Sequence, residues 1–186
     1  MMNPPFQPGD GVYTIGHGNR SIDEFTGLLR QYGVTCLVDV RTAPYSKMFP
    51  NFNREALEAF LENEGVCRYV WLGDKLGGRP QDPGCYLPDG RVNYNAVAQT
   101  DFFNDGIYEL NRLVEEGGLV AVVCSELRPE ECHRSKLITP ALEKKNVPVL
   151  HIDDKGRLKT QFQVLPPQQG SLLGDDVGYT SRKSYR

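Results

Sequence analysis

The sequence lacks an excess of basic charge: its 186 residues hold 21 Lys and Arg against 24 Asp and Glu, for a formal net charge of -3. Coating nucleic acid non-specifically needs surplus cations to displace counterions, so that class is excluded, although a local basic site is not. No apolar run approaches the roughly 20 residues that cross a bilayer, and residues 1–11 lack the charged and apolar regions of a signal peptide. A cytoplasmic protein without membrane contact is expected. Cysteines number 5, odd and irregularly spaced, which argues for reduced thiols over a disulfide framework. The Walker pattern is missing, so ATP hydrolysis of the usual kind has no support. A thiol phosphatase cradle needs Cys and Arg six positions apart, and Glu130 stands six beyond Cys124. What remains is a globular composition, 39% hydrophobic with 19 Gly and 13 Pro. At this length a chain buries roughly 70% of its unfolded surface, so neither disulfides nor a structural metal is required.

Residues 12–15 read as a strand running into Gly16-His-Gly-Asn-Arg20, after which Ser21 and Glu24 suggest a capping box. Ile22, Phe25, Leu28, Leu29 and Tyr32 follow at helical spacing, and Gly33 supplies the stop. The pattern recurs. Residues 35–40 form a second strand, Asn53 caps a helix carrying Leu57, Phe60 and Leu61, and residues 66–72 form a third strand. Residues 73–93 are Gly/Pro-rich without periodicity and longer than most connections, which marks a functional cover or an excursion. A helix through Phe102, Phe103, Ile107, Leu110 and Val114 then precedes the most strand-like run, residues 119–124. A helix starting near Cys132 is interrupted by Pro140, and residues 147–152 make the last strand. The expected organisation is a single α/β domain over 1–160, with 161–186 a polar, flexible tail.

Strands alternating with helices imply a three-layer α/β fold with a mostly parallel sheet flanked by helices. Val38, Val40, Val120, Val122 and Val149 should lie in its central strands, since these runs are too apolar to have a wet face. Ligands bind beyond the carboxyl ends of such strands. His17, Asn19 and Arg20, then Asp39 and Arg41, then Cys124 and Glu126, then His151 and Asp153 should therefore share one rim.

Cys124-Ser-Glu126 followed by Cys132-His-Arg134 concentrates chemistry where a strand leads to a helix start. Unpaired N–H groups and the helix dipole there favour anions, Arg134 offers a fork for phosphate or carboxylate, and Cys132 becomes a candidate thiolate. The plain alternative pairs Arg134 with Glu126, Glu130 or Glu131 and leaves Cys124 as a small buried residue. Gly16-His-Gly18 with Asp39 downstream suggests a Rossmann-like fold without a true dinucleotide fingerprint, because Ser21 replaces the third Gly and His17 crowds the approach. His17 either contacts substrate or satisfies backbone groups. Asp39 and Arg41 point to one face, as an ion pair or as a substrate clamp. Cys124, Cys132, His133 and His17 lack the paired spacings of zinc sites, so no metal and no cofactor is expected. Cys36, Cys67 and Cys85 have no partner motif.

Tyr13-Thr-Ile-Gly-His-Gly-Asn-Arg20, Val38-Asp-Val-Arg41 with Pro44 and Ser46, Leu76-Gly-Gly-Arg79, and Cys124-Ser-Glu126 through Cys132-His-Arg134 together resemble the family called domain of unknown function 488, over about residues 12–152. The resemblance implies an α/β domain with a polar site. It carries over His17, Asp39, Arg41, Ser46, Arg79, Cys124, Glu126, Cys132, His133 and Arg134 as site candidates. Gly18 stands where many relatives are expected to hold Ser.

Three functions fit these residues. The first is an enzyme acting on a phosphate-bearing nucleotide or nucleic-acid end. Arg41, Arg134, Asn19, Arg20, Ser46, Arg79 and His133 would bind, while His17, Asp39 or Glu126 does acid/base work. The second uses Cys124 or Cys132 as nucleophile or redox thiol. The third is a non-enzymatic nucleotide or nucleic-acid binding module, with Tyr45, Phe49, Phe52, Tyr86 and Tyr94 as stacking surfaces.

Overall fold

The computed structural model describes residues 5–166 and 179–185. Along the chain run β1 (Val12–Gly16), α1 (Ile22–Gln31), β2 (Cys36–Asp39), α2 (Arg54–Asn63), β3 (Arg68–Trp71), the short α3 (Gly73–Leu76), β4 (Arg91–Asn93), α4 (Tyr94–Val97) and α5 (Asp101–Glu115). β5 (Val120–Cys124), a π-helical turn (Arg134–Ile138), α6 (Thr139–Glu143), β6 (Val149–Ile152), β7 (Leu158–Thr160), α7 (Gln161–Val164) and β8 (Thr180–Ser184) follow. The six-stranded sheet has the order β3-β2-β5-β1-β6-β7, parallel throughout except for the antiparallel β7 at one edge. It is the mostly parallel three-layer fold that the alternating pattern implies.

Period-two alternation builds the layers. Tyr13, Ile15, Leu37, Ala121 and Val123 pack with Phe25 and Leu29 of α1 and with Leu57 and Leu61 of α2. Val12, Val38, Val120, Val122 and Cys124 face the other way, onto Phe103, Ile107 and Leu110 of α5 and Leu142 of α6. Both faces are dry, as continuous apolar strands require. Val38, Val120, Val122 and Val149 lie in these strands; Val40, fully buried, falls just past β2, where its N–H donates to the Val123 carbonyl.

Local rules explain the helix ends. The Ser21 hydroxyl accepts from the Glu24 N–H at 3.1 Å, but the Glu24 carboxylate takes Arg20 at 2.8 Å instead of completing a capping box. Gly33 ends the segment at φ 66°, the left-handed conformation that favours glycine. Pro140 does not break the sixth helical segment; it marks a change of register. The Thr139 N–H and hydroxyl both donate to the Arg134 carbonyl, closing a π turn ahead of a residue that has no N–H of its own.

Two stretches differ from their sequence patterns. Residues 73–93 hold α3, a 3-10 turn at Pro83–Cys85 and β4, and they bury Leu76, Cys85 and Val92 against α5. Of the expected flexible tail, 161–186, residues 167–178 and 186 lie outside the described residues; in the rest, α7 follows a full capping box at Thr160, and β8 pairs antiparallel with β4. The Val92 N–H donates to Ser181 Oγ at 2.8 Å. β8 shows no apolar signature because only Ser181 of its five residues is buried.

Candidate active site at the strand ends

Residues of α1 and α2 cover one face of the sheet and those of α5 and α6 the other, so the connections after β2 and β5, which are neighbours, leave on opposite faces. Such a switch point opens a crevice beyond the strands. Here it is a small cavity of about 60 Å³, open to solvent, with Cys124, Ser125, Glu126 and His133 among its lining residues. Arg41, Arg79, Arg182 and Lys183 stand around it, four cations against the two carboxylates of Glu126 and Glu131.

Glycines let these loops close. The ladder of β1 and β5 continues through His17 N–H to the Cys124 carbonyl and Gly18 N–H to the Ser125 carbonyl. A Cβ on Gly16 would stand 1.9 Å from the Glu126 carbonyl oxygen. The glycines of this turn thus serve the approach of the 125–127 loop, which is why they mimic a dinucleotide fingerprint. In Leu76-Gly-Gly-Arg79, a Cβ on Gly77 would meet Thr42 at 2.3 Å, and one on Gly78 would meet His133 Nδ1 at 2.9 Å.

Cys124 ends β5, and its sulfur lies 2.5 Å from Glu126 Oε2. The sulfurs of Cys124 and Cys132 are in bonding contact, while their Cα atoms lie 7.6 Å apart. Spacing of eight residues carried no pairing signal, so the expectation of unpaired thiols holds only for Cys36, Cys67 and Cys85. Cys132 is extended and precedes the helical segment, which starts at Arg134; one start-of-helix donor, the Arg134 N–H, still reaches its sulfur at 3.5 Å. His133 Nδ1 lies 3.6 Å from the Cys132 sulfur and 3.9 Å from that of Cys124. Burial lowers the His133 pKa, so its ring is neutral. Cys124, Glu126, Cys132 and His133 each bring a donor atom within 4.8 Å of the others, the one such group among the described residues.

Asp39 and Arg41 form a buried pair. Arg41 donates through Nε and Nη2 to the Asp39 carboxylate, at 2.9 and 2.5 Å, and the Tyr69 hydroxyl donates to Asp39 Oδ2 at 2.6 Å. Burial and the Asp39 charge push the Tyr69 pKa well up, so it remains a donor. The Arg41 carbonyl takes the Trp71 indole N–H at 3.0 Å. Asp39 is therefore enclosed and positions Arg41, the member of the pair that reaches the cavity. His17 stacks on Phe52 at 4.5 Å, and its Nδ1 lies 3.1 Å from the Gly18 carbonyl. Burial first and the Arg41 charge second lower its pKa to about 4.

Other candidates stand apart. Arg134 is completely buried and outside the cavity wall; its Nη2 donates to the carbonyls of Glu126 and Leu127, both at 3.0 Å. Burial lowers its pKa to about 9, which leaves it cationic at neutral pH. It pairs with backbone, not with the glutamates that sequence proximity offered. Arg20 likewise holds the Gly16 and Asp153 carbonyls, Asn19 is exposed, and Ser46 Oγ accepts from the Phe49 N–H within its own loop. His151 sits between Thr14 and Gln161, each at 2.8 Å; because the Gln161 amide NH2 donates to the Ser135 carbonyl, its oxygen faces His151 and requires the Nε2–H tautomer. Asp153 is capped by Arg157. Of the aromatics, Phe52 is buried against His17, Phe49 edges the same ring, Tyr86 bonds the Pro80 carbonyl, Tyr45 is exposed, and Tyr94 lines the cavity.

Sequence reading missed Thr42, Glu131, Arg182, Lys183 and Tyr185 in the wall. Thr42 takes the Arg79 N–H, and the Arg79 guanidinium lies 4.9 Å over the Tyr185 ring. Arg182 pairs with Glu131 at 3.0 Å. A cluster of two cations and a tyrosine at 182–185 was the available signal, hidden by the polar composition around it.

Fold and site define an α/β protein with a cationic cavity at a topological switch point, lined by the sulfur of Cys124. A family model described as Domain of unknown function DUF488 matches residues 21–139, and the chain belongs to that family. No curated protein and no solved structure matches it. The match takes in Asp39, Arg41, Arg79 and the Cys124 to Arg134 segment, while the Gly16 to Arg20 turn lies before it.

Proposed function

We propose that the strand-end cavity is the active site of an enzyme acting on a phosphate-bearing substrate, a nucleotide or a nucleic-acid end. The observation that carries this reading is the wall itself: four cations surround a cysteine sulfur, a carboxylate and a neutral imidazole in a chain whose net charge is -3. A locally positive cleft in a negative molecule focuses potential on an anion. Arg41, held in one orientation by Asp39, and Arg79, backed by Tyr185, supply forks suited to phosphate oxygens. Arg182 and Lys183 close the far side. Glu126 is the acid/base group of the floor, and Arg134 acts beneath it as a positioning residue by gripping the backbone of residues 126 and 127. Titration calorimetry with inorganic phosphate, AMP and a 5′-phosphorylated oligonucleotide tests the reading. Arg79→Ala and Arg182→Ala should each weaken binding by about 1.5–3 kcal/mol, the range for a lost charge-assisted hydrogen bond. Glu126→Gln should abolish turnover of whichever ligand is converted. Parent-like binding by both arginine variants would falsify the anion reading.

A second reading rests on the contact between the Cys124 and Cys132 sulfurs. A dithiol there would pass two electrons and two protons to a disulfide substrate and be left bridged. Intact-mass measurement of the chain before and after exposure to a small disulfide distinguishes a gain of mixed adduct from loss of two hydrogens.

A further inference from the structure

We infer that Cys124, Cys132, His133 and Glu126 form a binding site for a thiophilic divalent cation of the zinc class. Four donor atoms of the right kinds converge: two sulfurs, His133 Nδ1 and a Glu126 carboxylate oxygen, all within 4.8 Å of one another. Two thiolates with an imidazole and a carboxylate match the borderline-soft preference of Zn²⁺, for which all three ligand types are usual. The three ligands on the protein side are at most 7% exposed, and Glu126 faces the cavity. A buried cation there has an entry path through the mouth.

The spacing of the two cysteines is an independent observation. Their Cα atoms are 7.6 Å apart, beyond the roughly 4.4–6.8 Å over which a direct bridge forms without backbone movement. Two sulfurs held about 2.3 Å from a common metal ion stand farther from each other than bonded sulfurs do, so the wider Cα span suits an inserted atom. Gly78 provides another. A Cβ at that position would lie 2.9 Å from His133 Nδ1, the nitrogen turned toward the sulfurs, and glycine keeps that side of the ring clear. Buried Nε2 has no hydrogen-bond partner among the described residues; a metal on Nδ1 would fix the ring proton on Nε2. The inference stands on these donors, whether or not the cavity turns over a phosphate-bearing substrate.

The test uses the full chain, reduced and stripped of metal, titrated with Co²⁺ as a spectroscopic stand-in and then with Zn²⁺ in competition. Expected are a thiolate-to-cobalt charge-transfer band in the near ultraviolet, strong visible bands of a tetrahedral centre, saturation at one metal per chain, and bleaching by Zn²⁺. Cys124→Ser and Cys132→Ser should each remove the charge-transfer intensity of one thiolate and weaken binding by more than the roughly 10–100-fold that loss of an outer-shell group costs. Gly78→Ala, which keeps every ligand, should weaken it by crowding Nδ1. Parent chain oxidised beforehand should not bind. If a cysteine variant does not fold, thermal melting of the reduced parent with and without Zn²⁺ decides, because a ligand of the native state must raise the midpoint. Absence of the charge-transfer band in the reduced parent, or unchanged binding in the cysteine variants, overturns the site. Arg79→Ala and Arg182→Ala should leave Co²⁺ binding unchanged, which separates failure here from failure of the anion reading.

Discussion

Arg134 shows how a charged side chain reads one way in sequence and another in space. A guanidinium beside Cys132 and His133, near three glutamates, invited an anion or ion-pair role; the fold instead brings the loop after β5 back over it, and the two carbonyls of that loop are what it meets. Its Nε and Nη1 have no protein partner among the described residues. Removing the fork leaves two backbone acceptors unsatisfied and opens a void under the floor of the cavity. Arg134→Ala should therefore lower unfolding free energy by roughly 2–4 kcal/mol, with Arg134→Lys recovering part of it. Urea unfolding measures both, and an unchanged midpoint for Arg134→Ala would show that the clasp contributes nothing. Asp39 and Arg41, by contrast, were readable at this scale, since alternation along an apolar strand put both charges on one face. Cys124 and Cys132 were half readable. Each announced reactive chemistry, but their meeting depends on a turn through Pro129–Glu131 that no spacing rule encodes.

At the scale of elements, strands and long helices followed from periodicity because burial on one or both faces imposes it. α1 and α5 carry their apolar stripes toward the sheet, and β5 is apolar throughout because it is covered twice. What stayed hidden were elements whose residues bury little. β4 and β8 form a two-stranded ribbon with three of the five β8 residues exposed, so their pairing is long-range and leaves no apolar pattern. That ribbon brings Arg182 and Lys183 to the cavity. Ending the chain at residue 166 should spare the six-stranded sheet, whose core does not include β8, yet weaken phosphate binding as Arg182→Ala does. Far-ultraviolet circular dichroism with a cooperative melt checks the first half, and the same titration checks the second. Loss of cooperative unfolding would mean that β8 holds residues 73–93 against α5 and is part of the core's support.

For the molecule as a whole, the three histidines all lie buried and all have lowered pKa values, with desolvation the leading cause in each. His17 and His151 fall to about 4 from an ordinary value of 6.5. The folded state therefore binds fewer protons than the unfolded state between pH 6.5 and about 4. Stability must rise with pH in that window, be fully present above 6.5, and drain away as pH falls toward 4. Each of the two contributes up to about 3 kcal/mol on this account. Asp153, whose pKa is lowered by hydrogen bonds from Arg157 and Lys155 despite opposing desolvation, loses stability in the same direction but at more acid pH, so its effect comes after that of the histidines. Urea midpoints measured from pH 7.5 to 4.5 should fall monotonically. His151→Gln removes one titrating ring from a site where Thr14 and Gln161 can still find an amide partner, and it should flatten the profile even if it lowers the plateau. A midpoint that is level from pH 7 to 5 in the parent, or a His151→Gln profile as steep as the parent's, would mean that these rings keep enough solvent or partners to charge without strain on the fold.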